Sequence, residues 1–148
     1  MRHLKIAVSL MLMIVFAVGG CSSNSTSSCQ AGDGKTVTTA AGLKYEELQV
    51  CNGTAAAEGK NITINYTGYV KDGDQQRQFQ DIRGLTFRVG AGQVIRGLDL
   101  GVVGMKVGGK RRLTISPDLA YGAKGDTSIR VPSNATLIYD VELVSVAQ

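Results

Sequence analysis

Between residues 94 and 116 the hydrophobic period changes once, and the change marks the centre of the chain. Val94, Leu98 and Val102 recur every four residues with Ile95 beside them, which gives a short helix one apolar face. After a turn at Gly108-Gly109, the run Arg112-Leu113-Thr114-Ile115-Ser116 alternates strictly, as a strand with one buried side does. Gly97 and Gly101 are each about 1 kcal/mol worse than Ala inside a helix. Their presence predicts that a sheet packs closely against the helix at those two positions.

The remaining pattern supplies the sheet. Residues 44–50 read as a first strand, with a turn at Asn52-Gly53 and a loop over 55–59. Ile62, Ile64 and Tyr66 share one face of a second strand at 62–68. Lys71-Asp72-Gly73-Asp74 reads as a turn, and 75–80 is polar without period apart from Phe79, which reads as an aromatic anchored from a loop. Residues 85–89 alternate again, and Gly90-Ala91-Gly92 leads into the helix. The longest alternation runs over 136–146, with Leu137, Tyr139, Val141 and Leu143 on one side. From 117 to 132 there is no period, and a loop of that length, holding Tyr121 and Ile129, is usually functional in a small domain. The predicted fold is α+β, an antiparallel β-sheet packed on one short α-helix.

The N-terminus reads as a targeting segment. Arg2 and Lys5 precede an apolar run from 6 to 18, too short to span a bilayer and typical of an export signal. It ends in Val18-Gly19-Gly20-Cys21, which resembles a bacterial lipobox with Cys21 as the acylated residue. The expected organisation is a signal peptide at 1–20, a lipidated cysteine and flexible Ser-rich tether at 21–39, and a folded domain at 40–148. Ser22 is not the aspartate that marks inner-membrane retention in many Gram-negative bacteria. In such a source the expected location is the cell envelope, lipid-anchored at the outer membrane or cell surface, on either side of it.

Composition narrows the chemistry. Removing Arg2 and Lys5 with the signal leaves 14 of the 16 basic residues against 12 acidic ones, spread along the chain, which argues against a nucleic-acid partner. The single histidine, His3, lies in the signal, so a His-based triad or His metal site is excluded from the mature chain. With Cys21 acylated, Cys29 and Cys51 remain; they are too few for a structural zinc site, and either form one disulfide or stay as two free thiols. No metal site and no cofactor is expected. The segment 104–111 matches a phosphate-binding loop except at its last position, where Arg111 replaces Ser or Thr, and it follows a helix where such a loop opens one.

Five blocks point to a family. They are Asn65-Tyr66-Thr67-Gly68-Tyr69, Val94-Ile95-Arg96-Gly97-Leu98, Gly104-Met105-Lys106-Val107-Gly108-Gly109-Lys110-Arg111, Ala120-Tyr121-Gly122-Ala123 and the run from Asn134 to Leu143. In this order and spacing the chain from about 42 to 146 resembles the FKBP-type peptidyl-prolyl cis-trans isomerases, here in a bacterial lipoprotein form. The resemblance implies a twisted antiparallel sheet wrapped around one short helix. It implies activity on X-Pro bonds of exported proteins, assisting their folding at the cell envelope. The partners it implies are proline-containing polypeptides, macrolides such as tacrolimus or rapamycin, and a membrane reached through the lipid anchor.

Carried over by position, the resemblance implies Tyr66, Phe79, Tyr121 and Ile95 as catalytic residues, with the Ile95 N–H and the Tyr121 hydroxyl meeting the peptide. Leu85, Phe87, Val94, Leu98, Ile129 and Tyr139 would line the substrate site. Three positions depart from the family: Leu98 replaces the usual tryptophan floor, Gln80 follows Phe79 where an aspartate is usual, and Arg130 stands where an apolar residue is usual. These departures favour an efficiency below that of members with the tryptophan. Leu98 and Gln80 also support a rival reading, a lipid-anchored peptide-binding chaperone or surface adhesion module with little isomerase activity.

Overall fold

The computed structural model describes residues 28–147. The expected export signal, Cys21 and the Ser-rich segment through residue 27 lie outside the described residues.

The two strands with the cleanest alternation form the middle of the sheet. In β4 (Asn61–Asp72), Ile62, Ile64, Tyr66, Gly68 and Val70 all face inward. In β7 (Thr136–Val146), Leu137, Tyr139, Val141 and Leu143 do the same. Around them run β3 (Lys44–Cys51), β5 (Gln75–Arg88) and β6 (Lys110–Ile115), all antiparallel, in the order β3-β6-β7-β4-β5. Opposite Thr63 and Ile64 the register of β7 slips past Val144, so Val146 and not Ser145 rests on the core.

Helix α1 (Arg96–Gly101) packs against β6 on one face of this sheet. It has six residues, too few to be stable alone, and its position rests on contact. A Cβ on Gly97 would stand 2.3 Å from Ile115 Cγ2, and one on Gly101 would stand 2.4 Å from Leu113 Cδ1. The two glycines therefore let the helix backbone press directly on β6, as their placement in the sequence predicts, while Leu98 and Val102 fill the core on either side. The helix's C-terminal carbonyls, which lack partners within the helix, are met from β6. Arg111 Nη1 donates to Gly101 O at 2.6 Å and to Val103 O at 3.0 Å. Its guanidinium also pairs with Glu47 (Nε to Oε1 3.0 Å) and lies 4.3 Å from the centre of the Tyr45 ring. The buried charge is thus fully partnered, as burial of a cation requires.

Two segments read from the sequence as irregular are strand. Residues 75–80 continue β5 without a break, so the expected loop holding Phe79 is replaced by a strand with two bulges. At the first, Gly68 faces Gln80 while Tyr69 faces Gln78, leaving Phe79 as the extra residue; at the second, Arg83 and Gly84 together oppose the single residue Asn65, and Gly84 N–H donates to Asn65 Oδ1 at 2.9 Å. An inserted residue breaks the period of two, and with it the only signal a polar strand offers. The expected tether is also shorter. β1 (Cys29–Ala31) and β2 (Thr36–Thr38) both pair with β3, and Cys29 is bridged to Cys51 by a disulfide at its ladder position. The six residues of these two strands are exposed on both faces and carry no alternation.

Gly97→Ala and Gly101→Ala are each expected to lower stability by about 1–2 kcal/mol, because overpacking outweighs the gain in helix propensity. Denaturant titration measures this. Combining Gly101→Ala with Leu113→Ala should cost less than the sum of the two single changes, since the truncated leucine removes the clash.

Candidate active site

The N-terminal end of α1 opens onto a cavity of about 440 Å³ between the helix and the sheet. Gly92, Gln93, Val94 and Ile95 form one side, Leu98 the floor, Tyr66, Gln80 and Leu85 the side given by β4 and β5, and Tyr121 and Tyr139 the far wall. The approach to the helix is held by polar side chains. Asp99 accepts from Gly90 N–H at 2.7 Å and from Gly92 N–H at 3.3 Å, and Gln93 Oε1 accepts from Arg88 N–H at 2.8 Å. Ile95 precedes the helix with φ −58° and ψ 145°; its carbonyl receives Leu98 N–H and Asp99 N–H, while its own N–H has no protein partner among the described residues.

The aromatic wall is an ordered stack. Tyr66 and Tyr139 have ring centroids 5.1 Å apart at 49°, and Phe79 meets Tyr139 edge-on at 5.9 Å and 83°. Edge and tilted geometries of this kind are favourable for aromatic pairs. The β5 bulge turns Phe79 inward, and Gly68 makes room for it: a Cβ there would lie 2.8 Å from the Phe79 ring and 3.4 Å from Tyr139. Tyr121 comes from the irregular segment after β6. A 3-10 turn at Pro117–Leu119 and the bonds Gly122 N to Pro117 O (2.8 Å) and Asn134 N to Gly122 O (2.9 Å) fix its place.

No formal charge lines the cavity. Burial, with the neighbouring phenols, pushes the Tyr66 and Tyr139 hydroxyls above the usual range, and burial does the same to Tyr121, partly offset by the Tyr139 hydroxyl acting as donor to it. All three are neutral phenols at ordinary pH. Tyr66 spends its hydrogen on Gln80 Oε1 at 2.9 Å. The donors at the cavity that a ligand can meet include the Tyr121 hydroxyl and the Ile95 N–H.

The residues expected at the site are not all brought together. Tyr66, Leu85, Val94, Ile95, Leu98, Tyr121 and Tyr139 line the cavity. Phe79 supports its wall and, with Ile129, lines an adjoining groove of about 260 Å³ that shares Gln80 with it. Phe87 is a correction: opposite Ile62 and two residues farther along β5 than Leu85, it does not line the cavity and packs in the core. Gln80, noted in the sequence only as a departure, is the hydrogen-bond partner of Tyr66 and the link between the two hollows. Gln93 is a second lining residue that no pattern in the sequence marks.

Comparisons with known proteins converge. Residues 52–144 match the model of the family described as FKBP-type peptidyl-prolyl cis-trans isomerase. An FK506-binding protein of Neisseria meningitidis serogroup C is 48% identical over 105 residues, covering 70% of this chain and 95% of its own length. FK506-binding protein 4 of Dictyostelium discoideum is 50% identical over 114 residues, covering 76% of this chain, which spans only 30% of that protein. Among solved structures, AtFKBP13 superposes with a TM-score of 0.68 at 32% identity, covering 76% of this chain and 99% of that one. FkpA from Escherichia coli superposes with a TM-score of 0.66 at 35% identity, covering 77% and 52%. The sheet order, the helix packed on it and the cavity at its N-terminal end have the same explanation as these matches: the chain belongs to the FKBP-type peptidyl-prolyl cis-trans isomerases.

Proposed function

We propose that this chain isomerises X-Pro bonds of exported proteins at a bacterial cell envelope, held there by a lipid on Cys21, and that the same cavity takes macrolides such as tacrolimus or rapamycin. The observation that carries the reading is the uncharged, aromatic-walled cavity whose donors include the Ile95 N–H and the Tyr121 hydroxyl. Rotation about a peptide bond crosses about 18–20 kcal/mol because amide resonance is lost. The planar amide carries more charge on oxygen than the twisted one, so an apolar wall disfavours the ground state relative to the transition state. The two donors hold the peptide's own carbonyls while the bond turns. Proline is the natural target, because its bond alone has a well-populated cis form.

Lipid anchoring and export rest on residues 1–21, and the disulfide between Cys29 and Cys51 suits an oxidising compartment. A protease-coupled isomerisation assay with and without tacrolimus, run beside an aggregation assay, separates the enzyme from a peptide-holding module. Catalysis abolished by the macrolide supports the enzyme. Suppressed aggregation with no rate above the uncatalysed reaction favours the holding module.

Phe79→Ala removes the edge contact to Tyr139 and should lower kcat/KM by about 10-fold, or roughly 1.4 kcal/mol. Gly68→Ala should lower it in the same direction with both aromatics still present, because the added methyl displaces the Phe79 ring. An unchanged kcat/KM in a folded Gly68→Ala domain would contradict the role given to Phe79. Since no lining residue is an ordinary carboxylate or imidazole, kcat/KM should be flat from about pH 6 to 9. The raised tyrosine pKa values favour folding below about pH 10, the unfolded value, and that contribution fades as pH rises above it. A bell-shaped profile centred near neutrality would require a titrating catalytic group. For the anchor, Cys21→Ala should move the full chain from the membrane pellet to the soluble fraction; retention in the pellet would overturn lipidation.

A further inference from the structure

The groove beside the main cavity differs from it in charge. Arg77, on the outer end of β5, and Arg130, in the segment before β7, stand on its rim, with Phe79, Ser128 and Ile129 between them. Neither guanidinium has a carboxylate partner among the described residues. Asp81 pairs with Arg83 at 3.0 Å, and Asp126 accepts from the Ser128 N–H at 2.9 Å and hydroxyl at 2.5 Å.

The two arginines are also tied together. Arg77 Nη2 donates to the Arg130 carbonyl at 2.6 Å, which fastens the loop to the β5 rim. Arg130 itself has φ +61°, a left-handed backbone that glycine or asparagine adopts more readily. Strain of this kind persists where the surroundings hold it, and its occurrence at a ligand-facing rim motivates a functional reading. Gln80 lines both hollows, so the groove adjoins the main cavity on the side of β5.

We propose that this groove is a second substrate subsite, in which Arg77 and Arg130 select an acidic residue within two positions of the target proline. The proposal rests on the isomerase reading of the main cavity. The main cavity contributes no charge discrimination of its own, so preference between a carboxylate and its neutral isostere is set at the arginine rim. Both arginines are exposed, so the effect is modest and screened by salt.

The test uses peptide pairs differing only in Glu or Gln at each position from two before to two after the proline. kcat/KM is measured at low and high ionic strength, and binding is titrated in parallel by peptide fluorescence. Expected at one or more positions is a Glu-over-Gln ratio of about 3 in the wild-type domain, collapsing towards 1 at about 0.5 M salt. Arg77→Gln and Arg130→Gly should each reduce the ratio, and the double variant should abolish it; glycine preserves the left-handed backbone at 130, so the loss reports the guanidinium. Gln peptides turned over and bound as well as Glu peptides at every position would overturn the subsite while leaving the isomerase reading intact. So would a ratio that survives in the double variant. If no peptide is isomerised, the enzyme reading fails alone, and the binding ratio still decides whether the arginines select acidic peptides.

Discussion

The fold depends on how closely one short helix approaches one strand. With Gly97 against the Ile115 side chain and Gly101 against the Leu113 side chain, the backbone of α1 rests directly on the side chains of β6 with no Cβ of its own between them at either point. That depth places the N-terminal end of the helix level with the Tyr66 and Tyr139 rings on the sheet, and the space left between them is the cavity. A helix set farther out would open that space to water. Arg111, reaching from the same strand to the helix's terminal carbonyls, fixes the other end. One strand therefore supplies both the surface on which α1 rests and the group that caps it.

The chemistry of the cavity follows from what this packing excludes. Its walls are phenols, amides and alkyl groups, and burial keeps the phenols protonated. Such a site has nothing with which to attack a carbonyl or transfer a proton to a leaving group at neutral pH. It has much with which to hold a planar amide in surroundings that favour its twisted form. The charge sits outside, on Arg77 and Arg130, where it acts on the flanks of a peptide and not on the bond that turns.

The helix, the inward faces of β4, β6 and β7, and the close approach at the two glycines were readable in the sequence, because each leaves a periodic or compositional mark. Phe79 left none. Its strand is polar, and the bulge that aims it inward is visible only as a register change against β4. The strands at 29–31 and 36–38 were hidden for a related reason: a strand exposed on both faces has no apolar period, and its place depends on pairing with β3 and on the bridge to Cys51. Phe87 shows the opposite failure. Alternation correctly put it on the inner face with Leu85, but position along the strand decides between wall and core, and that position is set by the partner strand.

The central claim is that the cavity between α1 and the tyrosine wall turns the X-Pro bond. Exchange NMR on a short X-Pro peptide, with the folded domain present at a small fraction of the peptide concentration, measures this most directly, since it reads the cis/trans rate and the location of the bound peptide together. Accelerated exchange is expected, with intermolecular contacts from the proline ring to Ile95, Leu98 and Tyr139. Exchange at the uncatalysed rate, or acceleration with the proline bound elsewhere on the surface, would contradict the claim.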